Sequence, residues 1–175
     1  MYSLFKESRK VVITYSRADE NYGVGVVEVG NTERMGDMIC AYTKADKYHI
    51  EPANPYPKAY KPTCDQALKE KNENARPAVA NPLDNLDNYD TIFLGYPIWW
   101  GDLPMPAYTF LEKLNFEGKT VIPFCTHEGS GETGTFNNLK NKLTGAKFLR
   151  GLAVFGSSVD SSKGKVEKWL SSLGF

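Results

Sequence analysis

The chain has 175 residues, and its 21 Lys and Arg balance 21 Asp and Glu, for a formal net charge of zero. That balance leaves no basic excess to neutralise phosphates or to meet an anionic lipid surface, so neither a nucleic-acid nor a membrane-surface role is expected. The length suits a single domain, 1–175, whose core needs no covalent staples, and the three cysteines Cys40, Cys64 and Cys125 are odd in number and widely spaced, which argues against a disulfide framework or a zinc knuckle.

No apolar run is long enough to cross a bilayer, and the opening segment from Met1 to Lys10 lacks the apolar stretch of a signal peptide, so a cytoplasmic location is expected. The charged cluster Lys6 to Lys10 introduces Val11-Val-Ile-Thr-Tyr15, which reads as a strand buried on both faces. A polar loop begins at Ser16, and residues 19–29 form a Val- and Gly-rich insert able to fold as a small ribbon or lid. From Thr32 to about Tyr42 the apolar positions Met35, Met38, Ile39 and Tyr42 follow helical spacing, with Asn31 as the expected N-cap and Glu33 in the first turn. Strand, hydroxyl-bearing loop and capped helix are the parts of an anion site, because the helix N-terminus offers unpaired N–H groups and a positive dipole end. A turn and an ordinary cap would read the same way.

Tyr48 to Ile50 is a short second strand, and Glu51 to Pro62 is a loop stiffened by four prolines. Thr63 to Asn74 is expected to be an exposed helix anchored by Leu68, and Arg76 to Asn88 a loop. The third strand, Thr91 to Leu94, is expected to stop at Gly95 and to hand over to Tyr96-Pro-Ile-Trp-Trp-Gly-Asp102, after which Pro104 and Pro106 open a helix carrying Ala107, Phe110, Leu111 and Leu114. Two adjacent indoles on a tight loop at a strand's carboxyl end suit a flat aromatic ligand, although a Trp pair more often fills a core. Gly118 to Cys125 is the fourth strand and runs into the glycine-rich loop Thr126 to Gly134, where the absence of side chains lets backbone approach a ligand. A helix through Phe136, Leu139 and Leu143 follows. Phe148 to Val154 is a last strand broken by Gly151, and Val166, Trp169, Leu170 and Leu173 mark a terminal helix capped by Gly174.

Five strands alternating with five helices imply an α/β fold, a three-layer α/β/α sandwich around a five-stranded parallel sheet of order 2-1-3-4-5. In that order the special loops after the first, third and fourth strands meet at one sheet edge.

The segments Tyr15-Ser16, Gly30-Asn31-Thr32, Gly95-Tyr-Pro-Ile-Trp-Trp-Gly101 and Pro123 to Gly131 resemble those of the flavodoxin-like FMN-binding family, and the likeness runs over essentially the whole chain. The Gly-Tyr-Pro-Ile-Trp-Trp loop is similar to that of a bacterial branch of flavodoxins. The resemblance implies an FMN cofactor, with its phosphate held by Ser16, Asn31 and Thr32 and by the backbone of Arg17 and Ala18. It implies an isoalloxazine between one loop of Pro97, Ile98, Trp99, Trp100, Gly101 and Asp102 and another of Thr126, His127, Glu128, Gly129, Ser130 and Gly131. Either Trp99 or Trp100 would lie against the ring, Tyr22 of the insert would cover part of it, and Asp102, Glu128 and Glu132, where close to it, would lower its potential.

Three features depart from the family pattern: the insert at 19–29, His127 as the sole ring of the glycine-rich loop, and a neutral rather than acidic chain. The function implied is that of a flavodoxin transferring electrons to redox partner proteins or to a small acceptor such as a quinone. An NAD(P)H-dependent FMN oxidoreductase of the quinone reductase type on the same fold is the alternative, and an α/β module whose Trp loop binds a protein partner is a third reading.

Overall fold

Alternation of apolar runs with amphipathic stretches produces the following elements in the computed structural model, which describes residues 9–175. They are β1 (Lys10–Thr14), β2 (Asp19–Asn21), β3 (Gly25–Val27), α1 (Asn31–Thr43), β4 (Asp46–His49), α2 (Tyr60–Asn72), β5 (Thr91–Pro97), α3 (Met105–Leu111), β6 (Thr120–His127), α4 (Thr135–Lys142), β7 (Lys147–Phe148), β8 (Leu152–Phe155) and α5 (Lys163–Ser172), with a 3-10 helix at Gly156–Ser161. The expected opening segment and most of the Lys6 to Lys10 cluster lie outside the described residues.

The main sheet is parallel and ordered β4-β1-β5-β6, and β6 pairs along its length first with β7 and then with β8. Gly151 lies between these two outer strands, where a Cβ would come within 2.7 Å of the Pro123 carbonyl oxygen and 2.6 Å of the Phe136 ring. The architecture is the expected flavodoxin-like sandwich. Successive strand residues point to opposite faces, so Ile13, Ile92, Leu94 and Tyr96 join Leu111 of α3 and Leu139 of α4, while Val12, Phe93, Ile122 and Phe124 join Met35 and Ile39 of α1 and Val166 and Leu170 of α5. Each face of the sheet thus has its own core.

Three boundaries differ from expectation. β5 does not stop at Gly95 but continues to Pro97, with Gly95 paired to both Thr14 and Phe124. A Cβ on Gly95 would sit 2.2 Å from the Phe124 ring, so the missing side chain makes room for a neighbour on the next strand rather than ending the strand. α2 begins at Tyr60, with Pro62 tolerated in its first turn where no intrahelical N–H bond is lost, and its buried positions are Thr63 and Ala67 rather than Leu68. The N-cap of α1 is Gly30, not Asn31, and the cap has no side chain of its own. Ser16 supplies it instead, its Oγ accepting the Glu33 N–H at 3.1 Å.

The insert folds as an antiparallel ribbon of β2 and β3, separate from the main sheet. No helix among the described residues is long and apolar enough to cross a membrane.

Candidate functional site

The carboxyl ends of β1, β5 and β6 open together onto a cleft of about 280 Å³. Its floor is the start of α1. A Cβ on Gly30 would lie 2.2 Å from Ser16 Oγ and 2.6 Å from the Arg17 carbonyl oxygen, so only glycine lets the chain leaving β1 pass this close to the helix N-terminus. Ser16 satisfies Glu33, and the Arg34 N–H bonds the Gly30 carbonyl at 3.1 Å, which leaves the N–H groups of Asn31 and Thr32 as the free donors of the first turn. The Asn31 side chain adds a buried Oδ1 with no hydrogen-bond partner. Unpaired buried oxygen of this kind marks a place for a ligand group.

The second wall is the loop after β5. Trp99 and Asp102 exchange backbone hydrogen bonds of 2.8 and 3.1 Å around a two-residue turn, and both central residues, Trp100 and Gly101, have positive φ (52° and 75°). The two indoles part company here. Trp99 is wedged edge-on between Tyr15 and Tyr56, at centroid distances of 5.4 and 5.2 Å, whereas Trp100 is 49% exposed and donates through Nε1 to the Cys64 carbonyl at 3.0 Å. Both line the cleft.

The third wall is the end of β6. Thr126 is buried and its Oγ1 lies 2.7 Å from that of Thr32, which ties β6 to α1. His127 accepts the Gly129 N–H at Nδ1 (3.0 Å) and packs on Phe155 at 4.7 Å; burial lowers its basicity, opposed by Glu128, and so favours the neutral ring that this acceptor role requires. The Glu128 carboxylate accepts from both the N–H and the Oγ of Ser157, at 2.7 and 2.9 Å.

α2 and the ribbon complete the enclosure; the sequence announced a helix here but not that one of its faces lines the cleft. Tyr60, Thr63, Cys64 and Ala67 line the cleft. Their i, i+3, i+4, i+7 spacing is that of one helix face, a signal hidden because the helix was expected to start at Thr63. Burial and then the Cys64 hydrogen bond push the Tyr60 hydroxyl up to about 12. Arg17 is spent on structure, its guanidinium donating to the carbonyls of Glu20, Pro57 and Lys58. Tyr22 stacks at 5.9 Å on Tyr60, and a Cβ on Gly23 at the ribbon tip would meet Glu128 Oε2 at 3.3 Å. The ribbon therefore spans the cleft from α2 to the end of β6.

Of the residues singled out from sequence, Arg17, Asn31, Pro97, Ile98, Trp99, Trp100, Thr126, His127 and Glu128 line this one cleft. Ser16 and Thr32 are buried beneath it as cap and tie. Asp102 faces a second pocket with Lys71, Arg76, Tyr108 and Lys142, where its Oδ1 accepts the Tyr108 hydroxyl at 2.5 Å. Glu132 caps α4 through the Phe136 N–H at 3.0 Å. Of the three carboxylates expected near a ring, only Glu128 borders the cleft. Ala18, Gly101, Gly129, Ser130 and Gly131 are not among the lining residues; Ser130 Oγ donates to the Gly131 carbonyl at 3.0 Å. Cys125 is buried and its thiol is pushed up to about 12, chiefly by burial, which disfavours the reactive thiolate. No group of three metal-ligating side chains occurs among the described residues.

A family model described as Flavodoxin matches residues 25–173. The chain belongs to the flavodoxin family. No curated protein matches it. Among solved structures, this flavodoxin is similar to a candidate flavoprotein from Bacteroides eggerthii DSM 20697, at 28% identity and a TM-score of 0.77 over 96% of this chain and 99% of that one. A second candidate flavoprotein, from Bacteroides uniformis ATCC 8492, matches at 27% identity and a TM-score of 0.74 over 95% and 99%. A flavoprotein from Lactobacillus acidophilus NCFM in complex with FMN shares the fold at 21% identity and a TM-score of 0.65 over 88% and 97%.

Proposed function

We propose that this flavodoxin binds FMN in the three-walled cleft and carries electrons between redox partner proteins or to a small acceptor such as a quinone. The observation that supports it most is the cleft floor, where two free helix N–H groups, a glycine that admits no Cβ and the unpartnered Asn31 Oδ1 lie within one turn of α1. These suit a phosphate monoester on a hydroxylated chain: the N–H groups and the helix dipole would hold the phosphate, and Asn31 Oδ1 would accept from a ribityl hydroxyl. Bound there, FMN would supply the one- and two-electron chemistry. The chain's own part is to hold the phosphate at α1, to flank the ring with Trp99, Trp100 and His127, and to limit water by the ribbon. Glu128, the acidic side chain on the cleft, would disfavour added negative charge and lower the potential, and Glu128→Gln is expected to raise it.

The carrier reading is favoured over the NAD(P)H-dependent oxidoreductase by the state of the cations beside the Trp turn. Arg76 and Lys142 both bind Glu112, at 2.8 and 2.7 Å, so a dinucleotide phosphate there would have to compete with that carboxylate. Titration of FMN with the purified protein is expected to quench flavin fluorescence to saturation at one flavin per chain, and NADPH alone is expected to leave the bound flavin oxidised under anaerobic conditions. Unchanged fluorescence at micromolar protein would refute cofactor binding; rapid bleaching by NADPH would replace the carrier with the reductase.

A further inference from the structure

The β2–β3 ribbon leaves one edge bare. On β2 the Glu20 N–H donates to the Lys58 carbonyl at 3.2 Å, and the Glu20 carbonyl accepts from the Arg17 guanidinium, so the polar backbone of Glu20 points away from β3. Val26 is its opposite number across the ribbon. Opposed residues of an antiparallel pair turn their N–H and C=O groups either both inward or both outward, so those of Val26 point away from β2, along the ribbon's other edge. Neither group has a partner among the described residues.

The side chains do nothing to close this edge. Of the seven large apolar side chains that stand exposed among the described residues, three, Tyr22, Val26 and Val29, fall within residues 19–29, and Val26 is 79% exposed. β3 itself is Gly25-Val-Val27, without the lysine, proline or inward charge that ordinarily keeps a free strand edge from pairing. A ribbon of two three-residue strands is also marginal by itself, and further strands stiffen it.

We propose that the ribbon pairs edge to edge with that of a second copy of this chain, β3 against β3, about a twofold axis at Val26. The two Val26 residues then exchange N–H···O bonds as an antiparallel pair, and the two ribbons become one four-stranded sheet. The register is consistent in charge. It sets Gly25 opposite Val27 and Val24 opposite Glu28, so no carboxylate meets its own copy. A net charge of zero removes the repulsion that two like molecules would otherwise feel, and it offers no field to draw a charged partner instead. The consequence falls on the cleft. Because the ribbon is the cleft's cover, the second copy braces both covers and slows ligand release from both sites. That consequence depends on FMN binding; the pairing does not.

Sedimentation velocity of FMN-free protein is expected to show monomer at about 1 μM and a shift toward dimer by about 1 mM, as suits an interface this small. Val26 lies mostly in water in the monomer, so its replacement spares the fold. Val26→Lys and Val26→Glu each set like charges across the axis and are expected to weaken the dimer about tenfold or more. Mixed in equal amounts, the two variants are expected to restore it as a heterodimer, the outcome required when residue 26 faces its own copy. In FMN-loaded wild type, release is expected to slow at the concentrations that give dimer, and Val26→Lys to lose that dependence. A wild type that stays monomeric throughout overturns the proposal and leaves the edge to an extended peptide of another protein. Dimers that survive in both variants, or a mixture that stays monomeric, overturn it as well. Release that ignores dimerisation overturns the bracing of the cover, whereas wild type that dimerises but takes up no FMN refutes the function reading and leaves the pairing standing.

Discussion

On one side of the cleft Trp99 is clamped between Tyr15 and Tyr56, its turn is pinned by Lys71 and Thr133, and Tyr108 beneath it donates to Asp102 while Arg76 and Lys142 approach its ring at 5.2 and 5.3 Å. On the facing side the β2–β3 ribbon has three residues per strand, leaves Tyr22 62% and Val26 79% exposed, and meets the rest of the protein through a ring contact, Glu20 hydrogen bonds to Lys58 and to Tyr60 at the start of α2, and the Arg17 guanidinium. One wall is part of the folded frame, its position fixed by packing. The other is tethered at its ends. A site built this way can hold a ring edge in a set geometry while its cover opens at little cost in global stability.

The contrast predicts its largest effect at Trp99. Trp99→Ala removes the ring that Tyr15 and Tyr56 both contact and is expected to cost about 2–3 kcal/mol, below the value for a fully buried Trp because this one borders the cleft. Chemical denaturation reads it directly. A loss under about 0.5 kcal/mol, the size of an ordinary surface change, would show that this wall is no more a part of the frame than the ribbon is.

Gly30→Ala tests the floor that both walls stand on. The added Cβ meets Ser16 Oγ and the Arg17 backbone rather than a flexible chain end, so about 1–3 kcal/mol of overpacking is expected, together with loss of FMN uptake. Retained uptake with lowered stability would separate the floor from the ligand.

A smaller effect belongs to the far end of the fixed wall. Arg76 first and Lys142 second hold Glu112 at about 2, below its ordinary 4.5. Because the folded value is the depressed one, this contribution is complete above about 4.5 and fades as pH falls toward about 2. The carboxylate is a third exposed, so screening limits its worth to about 0.5–1 kcal/mol, and Glu112→Gln is expected to lose that at pH 7 and to converge with wild type in acid. A difference that persists at pH 2 would mean that packing of the side chain, not its charge, ties α3 to its neighbours.

The sheet order and the two cores were legible because buried parallel strands write themselves as short apolar runs and helices as periodic ones. What stayed hidden depended on contacts distant in sequence. Gly95 reads as a break in isolation and becomes a strand residue only when Phe124, on the next strand, fills the space beside it. Asp102 adjoins the indoles in sequence but turns away because Tyr108, six residues on in α3, supplies a donor on the other side. Thr133 carries no sequence signal at all, since its backbone strain and its reach to Gly101 exist only in the folded chain. The cleft's polar loops were readable from glycine and hydroxyl spacing. Its α2 face was concealed by Pro62, which marks a helix boundary as easily as it sits inside a first turn.

The last test falls on the tethered wall. Tyr22→Ala deletes a ring that is mostly in water and touches Tyr60 alone among the aromatic contacts of the described residues, so global stability is expected to stay within about 0.5 kcal/mol of wild type. The same ring lines the cleft, and an aromatic contact of this kind is worth about 0.5–1.5 kcal/mol, so FMN dissociation is expected to quicken by a factor of about 2–10 with little change in the association rate. Stopped-flow release and denaturation on the same variant divide the outcomes. A stability loss near that of Trp99→Ala would make the ribbon part of the frame, and unchanged release would mean that the cover lies clear of the ligand. Faster release at unchanged stability is what a wall tethered only at its ends requires.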